Sequence, residues 1–181
     1  MRSFIAINLS DEIKNMIQDD IYKFKRRVYG VKWVDKNKFH LTLKFLGDIK
    51  KDKKVIKMLK EIKIEKFDIL FNDIYGYFSS RGIVKVLHLP IAKTSNLLKL
   101  NSVIEEKMDL IGIKKEKREF FPHITIGRVK RGRLKESDLN EVYNDIKPDF
   151  DKFKVCKFDL MKSELTHKGP IYSKIKEFEL K

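Results

Sequence analysis

The chain has 181 residues, with 41 Lys and Arg against 26 Asp and Glu, for a formal charge of +15. Hydrophobic residues make up 42% and aromatic ones 11%, with only 8 Gly and 4 Pro; that much apolar surface offsets the conformational entropy of folding, which excludes a disordered chain and fits one domain, or two lobes sharing a core. The single cysteine, Cys156, excludes an internal disulfide framework and a cysteine-ligated zinc site and points to a reducing, cytoplasmic setting, while no apolar run is long enough for a signal peptide or a bilayer span.

Residues 2–8 (RSFIAIN) read as a strand. Ser10 then caps a helix from 11 to about 27, with Ile13, Met16, Ile17, Ile21 and Phe24 on its apolar stripe. A short strand at 31–34 and a longer one at 39–46, ended by Gly47, come next, then a helix at 51–62 burying Val55, Met58, Leu59 and Ile62. Strands are expected at 66–78 and 83–89, and a helix at 94–110 with Leu97, Leu98, Leu100, Ile104 and Met108 buried and Gly112 just past its end. A strand at 122–129, a short helix at about 136–146 and strands at 153–165 and 171–180 complete the chain. Strand and helix order thus occurs twice, which predicts an α+β protein with helices packed outside antiparallel sheets that face one another across a cleft.

Two of these strands carry the chemical signal: His40-Leu41-Thr42-Leu43 and His123-Ile124-Thr125-Ile126. Successive side chains in a strand alternate faces, so His and Thr at i and i+2 point the same way, about 6.6 Å apart. The intervening Leu41, Leu43, Ile124 and Ile126 then point into the core. Taken singly, either segment reads as an ordinary half-buried strand. The chain has only four His and four Thr, so the same pairing twice, with the same apolar spacing, is improbable by chance.

Two imidazoles with unperturbed pKa values near 6.5 can hold opposite protonation states at neutral pH, one removing a proton while the other supplies one. Two hydroxyls add donors for an oxyanion. This set fits phosphodiester cleavage, in which water is deprotonated, attacks phosphorus in line, and the leaving oxygen is protonated. A strained cyclic phosphate is an easy substrate for such a site. Zinc wants three or four clustered ligands, and neither His-x-Thr has a His-x-His, an HExxH or an acidic pair beside it, so no metal is expected. The charge surplus fits RNA as partner through counterion release, and fits equally a lysine-rich surface of the kind found in heat-loving organisms.

The two His-x-Thr segments, the opening RSFIAINLS, the block from Trp33 through HLTLKFLGD, the block FPHITIGR, and the late Ser163-Glu164-Leu165, Gly169 and Tyr172 together resemble the two-histidine (2H) phosphoesterases. Within them the match is to the RNA 2′,3′-cyclic phosphodiesterase branch, first described as a 2′-5′ RNA ligase. The resemblance spans nearly the whole chain. It implies a single bilobal domain over 1–181 with pseudo-twofold symmetry and the two motif strands side by side on the cleft floor. It implies hydrolysis of a terminal RNA 2′,3′-cyclic phosphate to a 2′-phosphomonoester without metal or cofactor, and weak reversible 2′-5′ joining of RNA ends such as tRNA halves. Carried over, His40 is the proton donor to the leaving 3′ oxygen, His123 the acceptor that activates water, and Thr42 and Thr125 hold the non-bridging oxygens. An RNA-binding module that keeps the cleft without catalysis would share the charge but not the turnover.

Beyond the motifs, Lys44 shares the parity of His40 and Thr42, which sets it at the cleft rim, against RNA phosphate or in solvent. Arg128 stands at His+5, where strict alternation turns it away; the strand ends there and the family often has an arginine at this place, so it is a candidate substrate contact. Phe45 and Trp33 are candidates for stacking on a base, with core packing the commoner use of strand aromatics. His88 and His167 lack the threonine partner and are assigned structural or surface roles. Cys156 alternates with Phe158 and Leu160 and reads as a buried small hydrophobe. The run Lys50-Lys51-Asp52-Lys53-Lys54 reads as a solvated helix start, and the stretch 128–133 (RVKRGR) as the better RNA-binding candidate.

Overall fold

The computed structural model describes residues 1–50, 52–130, 134–167 and 169–181; Lys51 of the charge run and residues 131–133 of the RVKRGR stretch lie outside the described residues. The elements in order are β1 (Arg2–Asn8), α1 (Asp11–Lys25), β2 (Val31–Trp33), a 3-10 turn (Lys36–Lys38), β3 (His40–Asp48), α2 (Asp52–Lys60), β4 (Phe67–Leu70), β5 (Gly76–Ser80), β6 (Ile83–Pro90), α3 (Ser95–Asp109), β7 (His123–Val129), α4 (Ser137–Asp145), β8 (Lys152–Val155), β9 (Lys157–Thr166) and β10 (Gly169–Glu179). The α+β class and its antiparallel strands are as expected.

Local chemistry accounts for most of these elements. The Ser10 hydroxyl accepts from the Ile13 N–H at the start of α1, and Asp11 and Glu12 lie in its first turn, where the helix dipole favours negative charge. Ile13, Ile17, Ile21 and Phe24 form its buried stripe. In α3 the stripe is Leu97, Leu100, Ile104 and Met108; Leu98, expected to be buried, is exposed because it falls off that 3.6-residue period. Gly112 takes the left-handed conformation (φ 86°) that ends this helix. The run 66–78 is not one strand. It breaks after Leu70, because β4 leaves the main sheet to pair with β8 in a separate two-stranded sheet. The run 153–165 breaks in the same way at Cys156, which is half-buried in the gap between β8 and β9 instead of lying in the core.

The main sheet runs β10-β9-β1-β3-β7-β6-β5, with β2 also paired to β7. Its two halves, β10-β9-β1-β3 and β7-β6-β5, are joined by a single residue pair, Leu41 with Ile124. Helices α1 and α3 stand behind the two halves, and the pair is exchanged. Helix α1 leaves β1 but sets Phe24 against Trp33, Tyr75 and Tyr143 beneath the β7 half, and Asp20 of α1 accepts the Tyr75 hydroxyl at 2.8 Å. Helix α3 leaves β6 but packs on β3, where Asn101 donates to the Leu43 carbonyl at 2.8 Å. Trp33 therefore lies on the core side, stacked on Phe24. Leu41, Ile124 and Ile126 are fully buried on that side, so the opposite face of the joined strands, the expected cleft face, is left for chemistry.

Both motif strands carry an extra residue one position past the threonine. On β3, Ile5 and Ala6 of β1 face Lys44 and Thr42, which leaves Leu43 unpaired in register. On β7, Leu87 and His88 of β6 face Gly127 and Thr125, which leaves Ile126 unpaired. Such bulges invert the alternation of the residues that follow. Lys44 and Gly127 thereby turn to the core side, and Phe45 and Arg128 turn to the cleft side. Residue 127 is glycine for a steric reason: a Cβ there would lie 2.6 Å from Val31 Cγ1 and 3.1 Å from the Trp33 ring.

Candidate active site

The Leu41–Ile124 pair places His40 opposite Thr125 and Thr42 opposite His123 in the antiparallel register, all four on the cleft face. Each of the four is half-buried. The two imidazoles are held by the same device. His40 Nδ1 lies 2.7 Å from the Lys38 carbonyl and His123 Nδ1 lies 2.8 Å from the Phe121 carbonyl, in both cases two residues upstream. A carbonyl only accepts, so Nδ1 is the protonated nitrogen and Nε2 is left to the cleft, a base when the ring is neutral and an acid when it is charged.

Burial pushes the His40 pKa below the ordinary histidine value; the Lys38 carbonyl opposes this, and the charge of His123 lowers it further. Burial also lowers His123, opposed by the Phe121 carbonyl and reinforced by the Arg128 guanidinium. His40 therefore senses the charge of His123, and Arg128 favours the neutral form of His123. The aromatic surroundings differ. Phe4 (4.9 Å between ring centroids) and Tyr172 (5.3 Å, edge-on) flank His40. Phe78 (4.9 Å, edge-on), Phe121 (6.2 Å) and His88 (5.3 Å) flank His123.

The structure moves three of the expected residues. Lys44 is not at the cleft rim: it is 5% exposed, its Nζ 2.5 Å from Glu105 Oε2 and 2.9 Å from the Lys114 carbonyl. The bulge at Leu43 turns it toward α3, so the expected contact with RNA phosphate is corrected to a buried brace between the motif strand and helix α3. The same kind of bulge at Ile126 brings Arg128 to the cleft, where its charge bears on His123 and on Tyr172. Phe45, the residue that the β3 bulge puts in the place of Lys44, is 69% exposed beside Phe4. His167 is exposed near the β9–β10 turn. His88, by contrast, is buried against His123; the signal that would have found it is the β6–β7 register, which no local motif encodes.

Because Lys44 is buried, the Glu105→Ala variant leaves an unpaired ammonium in the core. The expected loss is about 3–5 kcal/mol of unfolding free energy, read by urea denaturation. The double variant Lys44→Met/Glu105→Leu recovers most of it.

Among the described residues no three of His, Cys, Asp or Glu are grouped as metal ligands, and no helix is long and apolar enough to cross a membrane. The family model described as "LigT like Phosphoesterase" matches residues 12–85 and 89–172. An RNA 2′,3′-cyclic phosphodiesterase of Methanocaldococcus jannaschii is 37% identical over 180 residues, covering 98% of this chain and 100% of that protein. A second RNA 2′,3′-cyclic phosphodiesterase, from Archaeoglobus fulgidus, is 33% identical over 181 residues, covering 99% of this chain and 100% of that one. Among solved structures, a Thermus thermophilus protein superposes with a TM-score of 0.82 at 26% identity, covering 99% of this chain and 97% of that one.

Proposed function

The chain belongs to the LigT-like phosphoesterase family, and from that premise we propose that it works as a single bilobal domain that hydrolyses the 2′,3′-cyclic phosphate at RNA 3′ ends to a 2′-phosphomonoester. His123 Nε2 takes a proton from water as the water oxygen bonds to phosphorus. The bond from phosphorus to the 3′ oxygen breaks on the opposite side, and His40 Nε2–H gives its proton to that oxygen. The product carries a 2′-phosphate and a free 3′-hydroxyl, and the two histidines have exchanged protonation states. Thr42 and Thr125 donate to the non-bridging oxygens, each beside the histidine of the other strand, and Arg128 balances the charge that builds up on them.

The observation that carries this reading is the Leu41–Ile124 pairing, whose antiparallel register puts the two His-x-Thr segments side by side with both imidazoles and both hydroxyls on one face of the sheet. Arg128 disfavours the protonated form of His123, while burial and the charge of His123 disfavour that of His40, so the assignment of donor and acceptor rests on the resemblance to the family. Imidazolium, hydroxyls and guanidinium together supply the positive charge and the donors that the phosphate needs, so the mechanism requires no metal. The names of the relatives, RNA 2′,3′-cyclic phosphodiesterases, support RNA as the substrate class, as does the charge of +15. RNA fragments with cyclic phosphate ends, tRNA halves among them, in a reducing cytoplasm are the setting this reading fits.

The test is phosphorus NMR of adenosine 2′,3′-cyclic phosphate incubated with the protein in EDTA. A 2′-phosphomonoester signal is expected. A 3′-phosphomonoester, loss of turnover with EDTA, or binding of RNA with no turnover would each sink the reading.

A further inference from the structure

His88 lies outside both motifs, yet the shift in β6 pairing between Leu87 and His88 sets it opposite Thr125, on the cleft side of the sheet. Its ring centroid is 5.3 Å from that of His123, 4.2 Å from Phe78 and 5.7 Å from Phe121. The ring lies directly over glycine: a Cβ on Gly76, its partner on β5, would lie 2.6 Å from His88 Cε1. His88 is 2% exposed, and its Nδ1 has no hydrogen-bond partner.

We propose that His88 is a positioning residue for His123: seated over Gly76 beneath Phe78 and Phe121, its imidazole covers the inner side of the His123 ring, keeps water from it, and leaves Nε2 as the exposed nitrogen. The proposal rests on the reading of His123 as the proton acceptor. Burial, together with the charge of His123 and against the Tyr77 carbonyl, pushes the His88 pKa down to about 3. It is thus uncharged at neutral pH and takes no part in proton transfer itself. By excluding water it lowers the proton affinity of His123, so the base stays free. The other charged or titratable groups facing the pair are His40 from β3 and Arg128 from β7; Lys93 lies 5.9 Å over Phe121 and is ion-paired with Glu119.

Ring resonances of the histidines, titrated by NMR in the wild type and in His88→Ala, His88→Phe and Gly76→Ala, test this without requiring turnover. In His88→Ala, water reaches the ring, and the His123 titration midpoint should rise by about half a pH unit or more, a threefold gain in proton affinity. The acidic limb of kcat/KM for adenosine 2′,3′-cyclic phosphate should rise with it. His88→Phe should leave both at their wild-type positions. Gly76→Ala crowds the His88 ring off its seat without replacing either histidine and should shift His123 as well, which keeps the test open if His88→Ala does not fold. Wild-type titration of His123 in folded His88→Ala or Gly76→Ala, or an equal shift in His88→Phe, would overturn the proposal. A wild-type protein that turns nothing over would remove the reaction and leave the coupling of the two rings to be read by NMR.

Discussion

Replacing either His40 or His123 with alanine lowers kcat at least 10²-fold, the usual worth of one positioned acid or base, and leaves the thermal midpoint near that of the wild type, since both rings are only half-buried on the cleft face. The two losses do not add in the double variant, because removing one partner already disables the proton exchange that the other serves. The pH dependence is specific as well. Activity requires one proton on the pair, with His40 charged and His123 neutral, and burial lowers both below the ordinary 6.5. The bell-shaped kcat/KM profile, which reports the free enzyme, is therefore centred below pH 6.5. A profile centred above 7, or full turnover in either single variant, would refute the paired mechanism.

Acid stability is the second large effect. A histidine whose folded pKa is depressed is protonated in the unfolded chain first, so the folded state loses stability as pH falls through the unfolded value. For His88 the interval runs from about 6.5 down to about 3. Between pH 7 and 5 that single group removes about 2 kcal/mol, at the slope of 1.36 kcal/mol per unit. His40 and His123 depart in the same direction, whereas the carboxylates with lowered values, Glu61, Glu116, Glu119 and Glu177, act only below about 4.5. Urea denaturation at pH 7, 6 and 5 should thus show a falling free energy in the wild type and a shallower fall in His88→Phe, which has no ring to protonate. Equal slopes in the two proteins would mean that His88 is charged in the fold.

The linear order of residues was enough for the chemistry of the four central groups. Alternation is a local, period-two property, so His40 and Thr42 must share a face, and so must His123 and Thr125, once their segments are strands. Helix stripes such as Ile13, Ile17, Ile21 and Phe24 follow from the same kind of local periodicity. That logic fails at the first irregularity. Lys44 was set with His40 and Thr42 by parity, but the extra residue at Leu43 carried it to Glu105 and brought Phe45 forward in its place. The matching irregularity at Ile126 returned Arg128 to the cleft that strict alternation denied it. A bulge is a mismatch between two strands, and neither strand alone carries its mark.

By itself, then, the sequence determined the element types, the apolar faces and the inventory of the site: two imidazoles, two hydroxyls and an excess of positive charge. Only the tertiary structure decided who stands beside whom. The single Leu41–Ile124 contact that joins two half-sheets, the exchange of α1 and α3 beneath them, and the placing of His88 against His123 are pairings between segments far apart in the chain. Side-chain periodicity is set by backbone geometry within a few residues. Cross-strand neighbours are set instead by register, which depends on how the whole core closes.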